Sequence, residues 1–236
     1  MKHVLKAIRF MDDLTDGIIL ICFLVMGLIG SYAAYDSYMI YAAAADDAIL
    51  KFKPNYGSGA DEAEIPEDMV AWLSIEDTRI DYPIMQGQDN LEYLNKDPFG
   101  KYSLSGSIFL DSRNSPNFSD PYSMVYGHHM DQGLMFGALD EYLKLGYLEN
   151  HKNGVLTVGK QEYDVVLFAV LETTAMQKAV FAPTEHDDEI KGYIKANALY
   201  LNESDWTGDD KPLIALSTCK FPDTADRTVV IGVILR

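Results

Sequence analysis

The sequence contains little cysteine and little positive charge. Only two of its 236 residues are cysteines, so a framework of disulfide bonds is excluded. Its 36 Asp and Glu residues outnumber its 19 Lys and Arg residues, and the formal net charge is −17. Nucleic acid is therefore not the expected partner, because binding to phosphates needs a basic face.

Several motifs of common enzyme classes are also missing. The chain has no Gly-x-Ser-x-Gly elbow, which speaks against a serine hydrolase, and it has no phosphate loop and no dinucleotide fingerprint. His128 and His129 are adjacent, but no Cys, His and Asp cluster with zinc spacing accompanies them. The sequence therefore predicts no metal site.

An apolar segment without charged residues occupies positions 17–35. Its 19 residues match the roughly 20 helical residues that cross a hydrocarbon core of about 30 Å. Lys2, Lys6 and Arg9 precede the segment, and every charged residue between it and Lys51 is acidic. By the positive-inside rule, the N-terminus is then cytoplasmic and the rest of the chain lies outside the cell.

We interpret this segment as an uncleaved membrane anchor. The alternative is a cleaved secretory signal, for which the small residues 42–44 offer a cleavage site, but the apolar run exceeds the roughly 7–15 residues of a signal core. The predicted organisation is a cytoplasmic N-terminus at 1–16, an anchor at 17–35, an extracellular stalk at 36–65 and one domain at 66–236.

The domain after the stalk is mostly β. Short β-rich runs alternate with polar turns, which favours a closed antiparallel β-barrel of about eight strands. Apolar residues at helical spacing follow an N-cap pattern at 183–187 and predict a helical insertion at 185–201; a short helix is expected at 133–145. The predicted strands are residues 70–75, 80–85, 107–111, 123–127, 154–158, 163–170, 213–219 and 227–235.

Cys219 is the candidate nucleophile. It ends the apolar run 213–219, and the other cysteine, Cys22, lies in the N-terminal apolar segment, so Cys219 has no expected disulfide partner in its own domain. If the strands on either side of residues 220–226 pair as a hairpin, Arg227 reaches the same rim, where a guanidinium can activate a thiol or bind an oxyanion. A buried structural cysteine and a surface arginine paired with a nearby aspartate explain the two residues equally well.

His128 is the candidate acid and base. It follows a predicted strand and Gly127, which permits a close approach of the backbone to a substrate. Neighbouring residues of an extended chain point to opposite sides, so only one of the two histidines is expected to face Cys219. We assign His128 to this role and treat His129 as supporting or structural. Without the cysteine, both would be interpreted as ordinary loop histidines.

Together these residues resemble the sortases, the membrane-anchored cysteine transpeptidases of Gram-positive bacteria. The signature of that family is Thr-Leu-x-Thr-Cys at a strand end, an arginine shortly after it, and a histidine that follows a glycine in the middle of the domain. Here the signature is Ala-Leu-Ser-Thr-Cys at 215–219, with alanine in the first position. Segments 71–75, 105–111 and 126–130 and the helix predicted at 185–201 resemble class B sortases.

The resemblance implies a mechanism. Cys219 would attack the Thr–Gly-type bond of a C-terminal sorting signal and form a thioacyl-enzyme, with His128 as acid and base and Arg227 at the oxyanion. Ser217 and Thr218 are the candidate substrate-binding residues, although a structural role for Ser217 fits equally well. Class A sortases often use calcium, but no cofactor is expected here.

The resemblance also implies the partners. These are surface proteins with a C-terminal sorting signal, expected to be Asn-Pro-x-Thr-x or similar, and a peptidoglycan-precursor amine as acceptor. One alternative is a sortase that polymerises pilin subunits through a lysine. The other is a non-catalytic, membrane-tethered β-barrel binding module, against which the intact Cys219, His128 and Arg227 speak. In each case the expected location is the cell membrane, with the domain extracellular.

Overall fold

A computed structural model describes the protein over residues 2–45, 47–54, 65–183, 187–206, 211–219 and 225–236. The chain divides into two compact units, Met1–Ala43 and Ala44–Arg236. The predicted boundary between stalk and domain remains a prediction, because residue 46 and residues 55–64 lie outside the described part of the chain.

One long helix, α1 (Lys2–Ala44), accounts for the N-terminal unit. Its large apolar side chains are exposed, and the stretch His3–Ala42 is long and apolar enough to cross a membrane. The helix therefore contains the predicted anchor, residues 17–35, and extends beyond it at both ends. A signal sequence near an N-terminus can have the same length and apolar composition.

Within the described residues, nine strands form the sheet of the C-terminal unit. They are β1 Met69–Ile75, β2 Asp81–Met85, β3 Ile108–Leu110, β4 Tyr122–Tyr126, β5 Asn153–Val158, β6 Gln161–Thr174, β7 Tyr200–Leu201, β8 Leu213–Cys219 and β9 Asp226–Leu235. Eight of them close into a barrel in the order β5-β1-β2-β3-β4-β8-β9-β6, because β6 pairs again with β5. The short β7 pairs with β6 beyond the end of β5.

The predicted closed barrel is confirmed, but its strands are mixed in direction. β2 pairs with β3, and β4 with β8, in parallel. The other six pairings of the barrel are antiparallel. A parallel pair needs a long crossover connection, which the segments 86–107 and 127–212 supply. Alternation and turn residues reveal strands in a sequence, but they do not show which strand returns beside which.

Short helices fill the connections before β5. The helix expected at 133–145 is present as a 3₁₀ helix, Phe136–Leu143, and the short helix α2 (Tyr147–Asn150) follows it. Another 3₁₀ helix, Glu92–Leu94, lies in the crossover between β2 and β3. This last helix was not predicted, and it contributes to the candidate site.

The helical insertion between β6 and β8 is confirmed. It contains α3 (Lys178–Phe181) and α4 (Asp187–Asn197). The predicted helix was too long at its C-terminal end, because Tyr200 and Leu201 pair with β6 as strand β7. Most of the predicted N-cap, residues 184–186, lies outside the described residues.

Both faces of β8 are buried, which explains the continuous apolar run before Cys219. Ile214 and Leu216 belong to the larger core cluster. Leu213 and Ala215 belong to a second cluster, which includes residues of α3 and α4. Since side chains of a strand alternate between its faces, positions 213, 215 and 217 are on the side of the insertion.

Candidate active site

A cavity of about 370 Å³ brings together four of the five predicted site residues: His128, Arg227, Ser217 and Thr218. Its walls come from β3, β4, β8, β9, the β2–β3 crossover and the helical insertion. The lining residues are Asn90, Leu94, Phe109, Arg113, Tyr126, Gly127, His128, Ala175, Phe181, Ser217, Thr218 and Arg227.

The backbone of Cys219 lies beside that of Arg227. β8 and β9 form the predicted antiparallel hairpin, and its register pairs Cys219 directly with Arg227 and Thr218 with Thr228. The Nη1 atom of Arg227 donates a hydrogen bond to the carbonyl of Asp226 (2.9 Å). Of the two nearby aspartates that could pair with Arg227, Asp223 lies in the loop 220–224 outside the described residues, and Asp226 immediately precedes Arg227 on β9.

His128 is held by a main-chain carbonyl. Its Nε2 lies 2.7 Å from the carbonyl oxygen of Leu94, the last residue of the 3₁₀ helix in the β2–β3 crossover. A carbonyl oxygen only accepts hydrogen bonds, so Nε2 carries the hydrogen of this contact. Nδ1 is then the nitrogen at which His128 can give or take a proton.

His129 lies in a different environment. Its Nε2 is 2.7 Å from Oδ2 of Asp140, and it lines a second cavity together with Arg79, Asp140 and Tyr147. The adjacent histidines therefore line two different cavities, as expected for an extended chain. Of the two, only His128 lines the cavity that contains Arg227.

Gly127 is required by packing in the core. A Cβ atom built on it would lie 2.4 Å from Cδ1 of Ile108 and 2.7 Å from Cγ of Phe136. Although Gly127 lines the cavity, the space that a side chain would fill is already occupied by these two residues. The predicted approach of this backbone to a substrate stays a prediction, whereas the contacts with Ile108 and Phe136 show that the glycine is needed for packing just before His128.

Ser217 and Thr218 have buried hydroxyls at the cavity. Each residue is 2% exposed, and neither hydroxyl has a hydrogen-bond partner among the described residues. The main chain of Ser217 is tied to β4 instead, where its carbonyl accepts from the N–H of Gly127 (3.1 Å). A buried hydroxyl without a partner is costly, so a ligand that supplies one gains affinity.

Sequence reasoning missed several cavity residues, including Asn90, Arg113, Tyr126 and Phe181. They come from segments far apart in the chain, and the parallel pairings that join them were not predicted. One signal was available: the acid Asp111 follows the buried strand β3, and an arginine stands two residues later. A buried acid with a nearby partner often organises a site.

Two arginine side chains line the cavity of this acidic protein, and that of Arg113 is paired with the buried Asp111. Arg113 and Arg227 line it, and no acidic side chain is among the described residues of its wall. Burial, and then the neighbouring Asp111 carboxylate, raise the pKa of Tyr126 well above its ordinary value. Tyr126 therefore stays neutral, and the guanidinium of Arg227 is a charge of the kind that stabilises developing oxyanions.

Comparison with known proteins shows the family of this chain. The sortase domain model matches residues 73–234. The sortase B of Listeria monocytogenes is 37% identical over 162 residues, which cover 67% of this chain. The chain spans 65% of the length of that relative. The sortase B of Staphylococcus aureus is 29% identical over 178 residues, covering 73% of this chain and 72% of that protein.

Solved structures show the same fold. A class B sortase of Streptococcus pyogenes involved in pilus biogenesis is 39% identical, with a TM-score of 0.65, over 72% of this chain and 94% of that one. The Staphylococcus aureus sortase B–substrate complex is 28% identical, with a TM-score of 0.66, over 73% and 82% of the two chains.

Proposed function

Because the chain belongs to the sortase family and its relatives described above are class B sortases, we propose that it is a membrane-anchored cysteine transpeptidase. Its donor substrate is a surface protein with a C-terminal sorting signal, and its acceptor is an amine of a cell-wall precursor. The observation that carries this proposal is that His128 and Arg227 line the same cavity. Arg227 on β9 pairs with Cys219 on β8.

In the first half of the reaction, Cys219 forms the acyl-enzyme. Its thiolate attacks the main-chain carbonyl carbon of the threonine in the sorting signal, and a C–S bond forms. Arg227 stabilises the resulting oxyanion, since a guanidinium is always charged and offers fixed donors. The C–N bond then breaks, and the departing amine takes a proton from Nδ1 of His128.

In the second half, the acceptor amine attacks the thioester. It loses its proton to Nδ1 of His128, the new amide bond forms, and the thiolate of Cys219 leaves. The bond between Nε2 of His128 and the carbonyl of Leu94 keeps the ring in place through both steps. No oxidant, reductant or metal is needed to balance either step.

The buried hydroxyls of Ser217 and Thr218 are proposed to bind the donor peptide. Both residues line the cavity beside Arg227, and both hydroxyls lack a partner among the described residues. An extended peptide offers main-chain groups that satisfy them. Binding in this way would give the peptide a fixed register relative to Cys219.

The N-terminal helix is proposed to tether the enzyme to the cell membrane, with the catalytic domain outside. Sorting-signal proteins and lipid-linked acceptors are held in the same membrane, and confinement to one surface raises their effective concentration. A membrane-impermeant methanethiosulfonate reagent applied to intact cells should label Cys219. If the label appears only after lysis, the proposed orientation is wrong.

The full-length chain in detergent micelles tests the reaction directly. We would incubate it with quenched fluorescent peptides that contain Asn-Pro-x-Thr-x and Leu-Pro-x-Thr-Gly signals, beside Cys219→Ala, and weigh the enzyme by mass spectrometry. Cleavage with a thioacyl adduct that is lost in Cys219→Ala supports the transpeptidase. Absence of both from folded protein across the panel favours the binding module.

A pilin-polymerising sortase is the second candidate. It is favoured by the 39% identity to the Streptococcus pyogenes class B sortase involved in pilus biogenesis. The two functions differ in the acceptor amine. Competition between a peptide with a free N-terminal glycine and an N-acetylated lysine peptide distinguishes them: transfer to glycine supports cell-wall anchoring, and transfer to lysine supports polymerisation.

A further inference from the structure

We propose that Asp111 is a positioning residue that shapes the cavity for the donor peptide. Its carboxylate holds three cavity-lining side chains, those of Asn90, Arg113 and Tyr126. Through Arg113 it also fixes the end of α3. The identity of the ligand rests on the proposed function, whereas the contacts themselves do not.

Asp111 is a fully buried carboxylate with donors on both oxygens. Oδ1 accepts from the main-chain N–H of Arg113 (3.0 Å) and from its Nε (2.9 Å). Oδ2 accepts from Nη2 of Arg113 (2.8 Å), Nδ2 of Asn90 (2.9 Å) and the hydroxyl of Tyr126 (2.9 Å). A buried charge is tolerated when it is paired and hydrogen-bonded, as this one is.

These contacts keep Asp111 ionised and orient its partners. Burial raises the pKa of Asp111, but the hydrogen bonds from Arg113, Tyr126 and Asn90 outweigh it and leave the pKa below its ordinary value. Because an ionised carboxylate only accepts, the hydroxyl hydrogen of Tyr126 must point toward it. Asn90 is fixed at its other end as well, since its Oδ1 accepts from the N–H of Ser112 (2.8 Å).

Arg113 extends the network to the helical insertion. Its Nη2 also donates to the carbonyl of Phe181, the last residue of α3, at 2.8 Å. A second bond from the barrel reaches the same helix, from the Tyr122 hydroxyl to the carbonyl of Val180 (2.9 Å). The planar guanidinium of arginine suits this bridge, because it presents several donors in fixed directions. Phe181 lines the cavity, so the bridge sets the position of one wall.

The network affects the binding of the donor peptide and not the reactivity of the Cys219 thiol. Asp111 is not among the residues that line the cavity, so it touches the peptide only through its partners. In Asp111→Asn an amide donor would face the donors of Arg113 and Tyr126, and these side chains would separate. The expected effect is on KM, because Asn90, Arg113 and Tyr126 line the cavity in which the peptide is proposed to bind.

The test uses the full-length chain in detergent micelles with Asp111→Asn and Arg113→Lys. Hydrogen exchange should be at least tenfold faster at the amides of Phe181 and Ala182, which are bonded to Gln177 and Lys178 in the native protein. Exchange in the β5–β6 hairpin should not change. KM for an Asn-Pro-x-Thr-x peptide should rise at least tenfold in Asp111→Asn. It should rise less in Arg113→Lys, which keeps the positive charge but loses the fixed donor directions of the guanidinium.

Labelling of Cys219 by a small methanethiosulfonate reagent should stay within twofold of wild type in both variants. The matched control is Lys144→Gln, which breaks an exposed ion pair with Glu141 away from the cavity and should change none of the readouts.

Two results would overturn the proposal. In the first, Asp111→Asn is folded and neither α3 exchange nor KM changes. In the second, exchange rises equally in the β5–β6 hairpin, so that Asp111 serves the whole fold. A wild-type chain that forms no thioacyl adduct with any peptide defeats the proposed function instead, while the exchange of α3 still decides whether Asp111 positions this wall.

Discussion

Cys219 and Arg227 stand opposite each other on β8 and β9, in the last pair of that antiparallel register. Eight positions separate them in the chain, yet the hairpin makes their backbones neighbours. A guanidinium at this place can reach a carbonyl that is being attacked from position 219. The pairing therefore supports a role for Arg227 in the reaction itself.

Replacement of Arg227 by glutamine should lower kcat/KM for a sorting-signal peptide by about 10²–10³-fold, the usual cost of losing one oxyanion donor. Arg227→Lys should recover part of the loss, since it keeps the charge but not the fixed fork. Steady-state cleavage by the full-length chain measures both. Arg79→Gln, in the second cavity, is the matched control and should retain activity within a few-fold. Equal losses in the two glutamine variants would show that Arg227 has no special role.

The two adjacent histidines give a direct test of the site assignment. His128→Gln should lower kcat by about 10²–10⁴-fold, as expected for loss of a general acid and base. His129→Gln should stay within about tenfold of wild type, because His129 is bonded to Asp140 outside the candidate active site. A larger loss in His129→Gln than in His128→Gln would reverse the assignment.

The sequence identified the parts of this site that lie at recognisable places in a pattern. Cys219 ends β8, Arg227 lies near the start of β9, and His128 follows a strand and a glycine, so local patterns predicted these positions, and the family resemblance supplied their proposed roles. Leu94 could not be found in this way, because it contributes a main-chain carbonyl, and any residue type can supply one. Its place next to His128 depends on the β2–β3 crossover, whose parallel return the sequence did not predict.

The barrel shows the same limit. The predicted strands are present, because alternating apolar residues are a local property of the chain. Strand partners are a long-range property, and the expectation of an antiparallel barrel missed the parallel pairing of β4 with β8, which the connection 127–212 separates in the chain. The network around Asp111 depends on these returns, since Asn90, Arg113 and Phe181 meet only when the barrel has closed.

Buried serines with and without partners should respond in opposite ways to removal of the hydroxyl. Ser123 is fully buried and its hydroxyl has no partner among the described residues, so Ser123→Ala should raise the free energy of unfolding by about 1 kcal/mol. Ser107 is also buried, but its hydroxyl donates to the carbonyl of Lys96 (2.6 Å), so Ser107→Ala should lower that free energy by about 1 kcal/mol. Urea denaturation of the full-length chain in micelles measures both. Equal losses would mean that the Ser123 hydroxyl is bonded in solution.

Alkaline pH should weaken the contact between Tyr93 and the segment before β1. The Tyr93 hydroxyl donates to Oδ2 of Asp68 (2.7 Å), and the ammonium of Lys96 lies over the Tyr93 ring and bonds to Glu92. Burial, and then the bond to Asp68, raise the pKa of Tyr93 from 10.0 to about 12. The fold therefore favours the neutral tyrosine. Its contribution to stability is complete below pH 10 and is lost as the pH rises through about 12.

Comparison with Tyr93→Phe isolates this contribution, because phenylalanine keeps the ring and cannot ionise. The difference in free energy of unfolding between wild type and Tyr93→Phe should be constant from pH 8 to pH 10 and should shrink between pH 10 and about 12. Other buried tyrosines titrate in both proteins and cancel in the difference. A difference that grows with pH would mean that the fold stabilises the ionised form, with Lys96 outweighing both burial and Asp68. The carbonyl of Leu94, the residue after Tyr93, is bonded to His128. A difference that grows with pH would therefore also mean that the hydrogen bond from Tyr93 to Asp68 is not what holds this turn beside His128.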